Sequence, residues 1–176
     1  LYNQMAAVLA AIQLDVSFNE ILKGLRTFIN APHRLEKVAV IDGIQFINDS
    51  KATNVDAVYY ALEAMDQPII WVAGGVNKGN EYSQIKSLVQ RKVKSLICLG
   101  TDNAHLIDEF KTNISGIKEA ASAEEAVKMA FATANAGDVV LLSPACASFD
   151  LFDNYEQRGD LFKAAVMKLK KELIQA

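Results

Sequence analysis

The chain passes from strand to helix within residues 44–62, whose sequence is IQFINDSKATNVDAVYYAL. The first part is β-branched and aromatic (Ile44, Phe46, Ile47), and the last part carries apolar residues at helical spacing (Val55, Val58, Tyr59, Leu62). This pattern is typical of a strand followed at once by a helix. The polar residues 48–54 are therefore expected at the carboxyl end of a strand. In parallel α/β sheets ligands collect at that edge, and the N–H groups that begin the next helix favour anions.

The polar stretch itself indicates an anion site. In this interpretation Lys51 binds a carboxylate or phosphate, while Ser50 and Thr53 supply hydroxyl groups. The alternative is that Asp49, Ser50, Thr53 and Asn54 only cap the helix and that Lys51 is solvated. Capping accounts for one or two such residues, and here several polar side chains crowd one turn, so the sequence favours the anion site.

Composition restricts the class of protein. The chain has 176 residues, of which 51% are hydrophobic and 22% are charged, and its net charge is −3. This length suits one domain with an appendage, and the negative charge argues against nucleic acid as a partner. No apolar run is long enough to span a membrane, and no export signal is visible. Cys98 and Cys146 lie in apolar runs, which indicates buried thiols in a reducing cytosol rather than a disulfide framework.

The remaining pattern predicts the fold. Asp42-Gly43 between apolar runs at 38–41 and 44–47 is a strong β-hairpin signal. Further strands are predicted at 69–73, 96–99, near 117 and at 139–142, alternating with helices at 82–93, 103–110, 123–134 and 155–173. We therefore predict the α/β class: a doubly wound, mostly parallel, Rossmann-like sheet with an N-terminal β-hairpin strand and helices on both faces.

The first residues read as a separate unit. Two helices are predicted at 2–12 and 17–28, the second with Ser17 and Glu20 spaced as a capping box. Two helices alone cannot bury both faces, so they are expected to belong to a preceding domain or to pack on this one. The chain starts with Leu1 in mid-helix, and we expect a piece of a longer protein, with a boundary between residues 1–32 and 33–176.

Two more loops are predicted at the same sheet edge. Residues 74–79 contain glycines and Lys78, and residues 143–150 contain Ser148. Residues 74–79 have the spacing neither of a dinucleotide site nor of a P-loop. The alternatives are a glycine-rich turn with a solvated lysine and a helix cap beside a buried cysteine. A nucleophilic role for Cys146 is not favoured, because a reactive thiol usually needs a neighbouring base and the sequence does not place His33 or His105 beside it. His105 is expected at the surface.

Four strings then resemble the C-terminal domain of the Mur ligases. They are HRLE at 33–36, NDSKATN at 48–54, AGGVNKG at 73–79 and LLSPACASFDLFDNYEQRG at 141–159. Within that family they are most similar to the members that add D-glutamate to UDP-N-acetylmuramoyl-L-alanine. LYNQMAA at 1–7 resembles the end of the adenine-contacting motif in the family's central ATPase domain, which implies that residues 1–32 are the tail of that domain.

The resemblance implies a bacterial, cytoplasmic, ATP-dependent ligase of peptidoglycan synthesis that works as a monomer. ATP and Mg²⁺ are the implied cofactors, and the reaction passes through an acyl phosphate. Residues matched to D-glutamate binding are Lys51, Thr53, Lys78, Ser148 and Tyr155. Residues matched to ATP are Asn3, Arg34 and Asp49, although Arg34 would equally suit a surface pair with Glu36.

The family's P-loop and metal ligands have no counterpart in this sequence, so the chain alone is expected to be inactive and to hold no metal. Two alternatives remain open. One is the corresponding domain of another amino-acid-adding ligase, of the diamino-acid-adding or folylpolyglutamate type. The other is a non-catalytic module that binds a small anion. Paired lysines beside the SPACAS loop suit a side-chain carboxylate better than a side-chain amine, which favours D-glutamate.

Overall fold

The computed structural model describes residues 2–175. The chain divides into two compact units, Leu1–Ala31 and Pro32–Ala176. This division lies one residue from the boundary that we expected from the sequence. The assignment of the first unit to a preceding ATPase domain stays a prediction.

The first unit consists of two helices, α1 (Tyr2–Gln13) and α2 (Phe18–Thr27). Ser17 begins α2 with the predicted capping box: its hydroxyl oxygen accepts from the Glu20 N–H at 3.3 Å, and the Glu20 carboxylate accepts from the Ser17 N–H at 3.2 Å. Large apolar side chains of this unit are exposed (Leu9, Leu14, Phe18, Phe28 and Ile29). The two short helices therefore leave much of their apolar surface uncovered.

The second unit alternates strands and helices. Its strands are β1 (Glu36–Ile41), β2 (Ile44–Asn48), β3 (Ile69–Gly74), β4 (Val93–Leu99), β5 (Gly116–Ala120) and β6 (Val139–Ala145). Its helices are α3 (Val55–Glu63), α4 (Lys86–Lys92), α5 (Ala104–Phe110), α6 (Ala123–Thr133) and α7 (Tyr155–Gln175), and a 3₁₀ turn at Ser83–Ile85 precedes α4. None of the helices within residues 2–175 is long and apolar enough to cross a membrane.

The strands form one mixed sheet in the order β1-β2-β6-β3-β4-β5. Only the β1–β2 pair is antiparallel, and the other neighbours are parallel. The predicted hairpin is confirmed: its turn residues Asp42 and Gly43 have φ values of 49° and 78°, the left-handed conformation that a tight hairpin turn needs. The doubly wound fold is therefore confirmed, with β6 inserted between β2 and β3.

Alternate strand residues pack on opposite faces of the sheet. In β3, Trp71 packs with α3, α4 and α5, whereas Ile70 and Val72 pack with α6 and α7. Both clusters are fully buried at these positions, as expected for a sheet covered on both faces.

One element differs from the sequence prediction. The helix predicted at 82–93 is a 3₁₀ turn followed by a short α4 that ends at Lys92, and β4 starts at Val93 instead of Leu96. Val93 pairs with Ile69 of β3, and the Lys92 ammonium donates to the backbone carbonyls of Leu62, Glu63 and Met65 at 2.7–3.0 Å. The helix therefore ends at Lys92, whose side chain is bound near the end of α3, and strand pairing begins at the next residue.

We expect Leu62→Ala to lower the free energy of unfolding by about 2–5 kcal/mol, because Leu62 is fully buried in α3 and its removal leaves a cavity. Leu173→Ala, at an exposed position of α7, should change it by less than about 0.5 kcal/mol. Urea unfolding followed by fluorescence of Trp71, the only tryptophan, measures both values. Equal losses in the two variants would contradict this packing.

Candidate functional site

Three loops meet at the carboxyl ends of the neighbouring strands β2, β6 and β3. We call them the Lys51 loop (residues 49–54), the Ser148 loop (residues 146–154) and the Lys78 loop (residues 75–81). The N–H of Ala145, at the end of β6, donates to the Ala52 carbonyl at 2.9 Å. The Val76 N–H donates to the Ala147 carbonyl at 2.8 Å, within an isolated antiparallel bridge. Backbone bonds thus join the Ser148 side of the site to the other two loops.

Arg158 of α7 donates hydrogen bonds to the Lys51 loop, to the Ser148 loop and to the last residue of β3, from which the Lys78 loop leaves. Its side chain is 1% exposed. Its Nε and Nη2 donate to the Ser50 hydroxyl at 3.0 Å and to the Ser50 carbonyl at 2.9 Å. Its Nη1 donates to the Cys146 carbonyl at 3.2 Å and to the Gly74 carbonyl at 3.4 Å. Burial lowers the pKa of Arg158 to about 10, so the guanidinium stays charged at neutral pH.

The sequence analysis did not single out Arg158, although a signal was present. Arg158, Phe162, Val166 and Leu169 follow helical spacing, and all four are buried on one face of α7. Arginine at an apolar register position indicates a buried, hydrogen-bonded cation. Gly159 beside it is also required, because a Cβ there would clash with the ring of His33.

Ser50 corrects one expectation. We expected its hydroxyl to face a ligand, but Ser50 is fully buried and the hydroxyl donates to the Tyr155 carbonyl at 2.7 Å while it accepts from Arg158. The reason is that the guanidinium needs an acceptor at this point. Ser50 therefore links the Lys51 loop to α7.

Lys51 and Tyr155 contact each other across the start of α7. The Lys51 ammonium donates to the Tyr155 hydroxyl at 2.7 Å and lies 4.3 Å from the centre of the Tyr155 ring. Both residues are half-buried. Thr53 is also half-buried, and within residues 2–175 its hydroxyl has no hydrogen-bond partner. The Lys51 loop therefore carries an ammonium group held by Tyr155 and a hydroxyl group, that of Thr53, without a partner among residues 2–175.

Ser148 and Lys78 lie on the other two loops. Ser148 is 2% exposed, and its carbonyl accepts from the Phe152 N–H at 3.0 Å, which begins the turn toward α7. Lys78 is exposed at the tip of its loop, two residues after Val76, which is bonded to Ala147. Among residues 2–175 no carboxylate lies within 4.0 Å of the ammonium of Lys51 or of Lys78.

Arg34 and Asp49 lie where the second unit begins. Arg34 is exposed between His33 and Leu35, which adopt left-handed φ values of 63° and 43°. The alternative of an Arg34–Glu36 pair is not found within the described residues, because Glu36 accepts from the His33 N–H at 2.9 Å and pairs with Lys163 at 3.3 Å. Asn3, the third residue matched to ATP, lies in α1 and is exposed.

Asp49 is a buried carboxyl group. Its Oδ1 accepts from the Leu35 N–H at 3.1 Å, and its Oδ2 accepts from the Ser143 hydroxyl at 3.0 Å. Burial raises the pKa of Asp49 to about 6, and these two bonds and the charge of Arg34 offset only part of that rise. Asp49 therefore titrates close to neutral pH while it holds the segment that carries Arg34.

Cys146 and His105 correct a second expectation. We expected His105 at the surface, but it is half-buried and its Nε2 lies 3.7 Å from the Cys146 sulfur. Burial raises the pKa of the Cys146 thiol and lowers the pKa of His105, so both groups are neutral at neutral pH. A neutral, buried thiol is a poor nucleophile, so proximity alone does not make the pair reactive.

The described part of the chain contains no group of three or more His, Cys, Asp or Glu side chains placed to ligate a metal ion.

Replacement of Arg158 by methionine should lower the free energy of unfolding by about 3–5 kcal/mol, because the four buried acceptors lose their donor. Arg91→Met at an exposed position is the matched control. Urea unfolding compares the two, and a similar small loss in both variants would rule out this role for Arg158.

Asp49 should make stability depend on pH. Because its pKa is raised from 3.8 to about 6 on folding, the folded chain holds a proton that the unfolded chain releases. The resulting contribution to the free energy of unfolding, roughly 3 kcal/mol, is fully present below about pH 4 and is lost as the pH rises through about 6. The difference in unfolding free energy between the unaltered chain and Asp49→Asn should fall by that amount between about pH 4 and about pH 7. A constant difference would contradict the raised pKa.

Comparisons with known proteins identify the family of this chain. The model of the family described as "Mur ligase, glutamate ligase domain" matches residues 33–146. The UDP-N-acetylmuramoylalanine–D-glutamate ligase of Cytophaga hutchinsonii is 51% identical over 167 residues, which cover 95% of this chain and 37% of that protein. The protein of the same name from Porphyromonas gingivalis is 51% identical over 168 residues, with coverage of 96% and 37%. The chain thus spans little more than a third of these relatives.

A solved structure shows the same fold. The UDP-N-acetylmuramate-alanine ligase MurC from Thermotoga maritima superposes with a TM-score of 0.69 at 14% identity, and the match covers 99% of this chain and 37% of that one. Identity this low supports the fold alone, whereas the family model matches residues 33–146, more than half of the chain. The chain belongs to the family of Mur ligase glutamate ligase domains.

Proposed function

We propose that this chain is the D-glutamate-binding part of an ATP-dependent ligase that joins D-glutamate to UDP-N-acetylmuramoyl-L-alanine. Relatives that carry this name are 51% identical over almost the whole chain. They are much longer than the chain, so the complete reaction belongs to the complete protein. We propose that residues 1–32 are the end of its central ATPase domain and that residues 33–176 form its C-terminal domain.

One observation carries the proposal: the Lys51 ammonium donates to the Tyr155 hydroxyl and lies over its ring, and among the described residues no carboxylate lies within 4.0 Å of it. A half-buried cation without an anionic neighbour within salt-bridge distance is available to a carboxylate from outside. Lys78 brings a second cation from the loop on the other side of the Ser148 loop, and Thr53 and Ser148 bring hydroxyl groups. D-Glutamate carries two carboxylates, so two ammonium groups with hydroxyl donors match its charge and its hydrogen-bonding capacity.

In the proposed reaction ATP supplies the phosphoryl group that activates the carboxylate of the nucleotide substrate as an acyl phosphate. The amine of D-glutamate then attacks the acyl carbon, the C–N bond forms, and inorganic phosphate leaves. The contribution of this chain is to hold the two carboxylates of D-glutamate so that the amine points away from the lysines. Fixing one reactant in this way removes much of the entropic cost of bringing the two together.

Arg34, Asp49 and Asn3 are proposed to serve the ATP side. Arg34 is exposed and reaches outward from a segment that Asp49 holds through the Leu35 N–H. A guanidinium in that position suits a phosphate oxygen. We propose that Mg²⁺ is bound by the complete protein, through residues outside this chain.

Two free, buried cysteines within the described residues suit a reducing compartment, and we propose that the protein acts in the bacterial cytoplasm. That it acts as a monomer stays a prediction.

The diamino-acid and folylpolyglutamate types of ligase remain alternatives within the family, and paired lysines favour the diacid over them.

Lys51→Ala in the full-length protein should lower kcat/KM for D-glutamate about 30-fold or more, because a charge-assisted hydrogen bond to a carboxylate is lost. Initial rates of phosphate release at varied D-glutamate, with ATP and the nucleotide substrate saturating, measure the effect.

Lys171→Ala is the matched control, since Lys171 is an exposed lysine of α7 far along the chain from the three loops. An unchanged kinetic profile for Lys51→Ala would remove Lys51 from the site. Ligation catalysed by the 176-residue chain alone would contradict its proposed role as one part of the enzyme.

A further inference from the structure

The side chain of Asn77 fixes the backbone of the Lys78 loop. The Asn77 Oδ1 accepts from the Gly79 N–H at 3.1 Å and from the Asn80 N–H at 3.0 Å. This arrangement is an Asx turn, which fixes the backbone on both sides of Lys78. At its start the loop is attached to the Ser148 loop through the bond from Val76 to Ala147.

Asn80 attaches the other end of the same loop. Its Nδ2 lies 3.2 Å from the Ala145 carbonyl, 3.1 Å from the Tyr82 hydroxyl and 3.3 Å from the Cys146 sulfur. The amide thus bridges the Lys78 loop to the first residues of the segment that carries Ser148. Burial raises the pKa of Tyr82, so its hydroxyl stays protonated, and its oxygen accepts from Asn80. The same hydroxyl lies 3.6 Å from the Cys146 sulfur.

The residue that Asn80 contacts is itself conformationally strained. Ala145 has a φ of 62°, in the left-handed region that non-glycine residues rarely adopt. Its N–H is bound by the Ala52 carbonyl of the Lys51 loop, and its carbonyl is bound by Asn80 of the Lys78 loop. The direction in which the chain leaves β6 toward Ser148 is therefore fixed from both sides.

From these contacts we propose that Asn80 is a positioning residue that sets the place of Lys78 relative to Ser148 and thereby the affinity for the amino-acid substrate. The inference rests on the proposed function, because it assumes that Lys78 and Ser148 bind one dicarboxylate. Asn80 does not touch the substrate. It acts through Lys78, which is exposed and has no hydrogen-bond partner among the described residues that would fix it.

Asn80→Ala in the full-length protein should raise the KM for D-glutamate about tenfold, the effect of losing roughly one hydrogen bond that orders the loop. The KM for ATP and kcat at saturating D-glutamate should change less than about twofold, since neither depends on Lys78 being held in place. A merely structural role would lower kcat and disturb all substrates together. Asn135→Ala, at an exposed asparagine elsewhere, is the matched control.

A double-mutant cycle tests whether Asn80 acts through Lys78. In a Lys78→Gln background, Asn80→Ala should lower kcat/KM for D-glutamate less than about twofold further, because the group that it positions is gone. The ratio kcat/KM is measurable even when KM exceeds the usable concentration of D-glutamate. An undiminished effect of Asn80→Ala in that background would overturn the inference.

Asn80→Leu is a second variant that guards against a folding defect in the alanine variant. It keeps the approximate size of the side chain and adds no charge beside Lys78, but it cannot donate to the Ala145 carbonyl, so the same rise in KM is expected. If the unaltered protein ligates D-glutamate and both Asn80 variants bind it normally, the inference fails alone. If the unaltered protein does not ligate D-glutamate, the proposed function fails and the inference fails with it.

Discussion

The site depends on one buried cation. Arg158 has no carboxylate within salt-bridge distance among the described residues. Its guanidinium is instead hydrogen-bonded to one hydroxyl and three backbone carbonyls, which belong to the Lys51 loop, the Ser148 loop and the end of β3. Leaving such a group without acceptors costs several kcal/mol. The loops after β2, β3 and β6 are therefore held at positions where their carbonyl oxygens converge, and that convergence brings the ligand-facing sides of the same loops together.

Backbone strain is concentrated at the same edge. His33, Leu35 and Ala145 are non-glycine residues with left-handed φ values, and such a conformation costs about 1–2 kcal/mol each. Each is held by bonds from neighbouring segments: His33 by Glu36 and Asn48, Leu35 by Asp49, and Ala145 by Ala52 and Asn80. Strain offset by surrounding contacts is typical of sites whose geometry must be fixed before a ligand arrives.

The fold followed from local signals in the sequence, and the details of the site did not. Asp42-Gly43, the Ser17 capping box and the alternation of apolar strands with amphipathic helices act over a few residues, so they were readable. Arg158 and Ser50 contact each other across 108 positions of the chain, and Cys146 and His105 across 41, distances at which no periodicity operates. Lys51 was singled out by its position after a strand and Tyr155 by resemblance, while their mutual contact could be seen only in the folded chain.

The two lysines differ in a way that composition conceals. Lys51 is half-buried and already bound to Tyr155, so it would lose little further side-chain freedom on binding the carboxylate that we propose. Lys78 is exposed, and ordering a free lysine side chain costs up to about 2 kcal/mol. An ordered loop lowers this cost, because only the side chain and not its backbone must then be fixed. The bonds from Asn77, Asn80 and Val76 provide that order. They therefore lower the entropic cost of fixing Lys78 on the ligand that we propose.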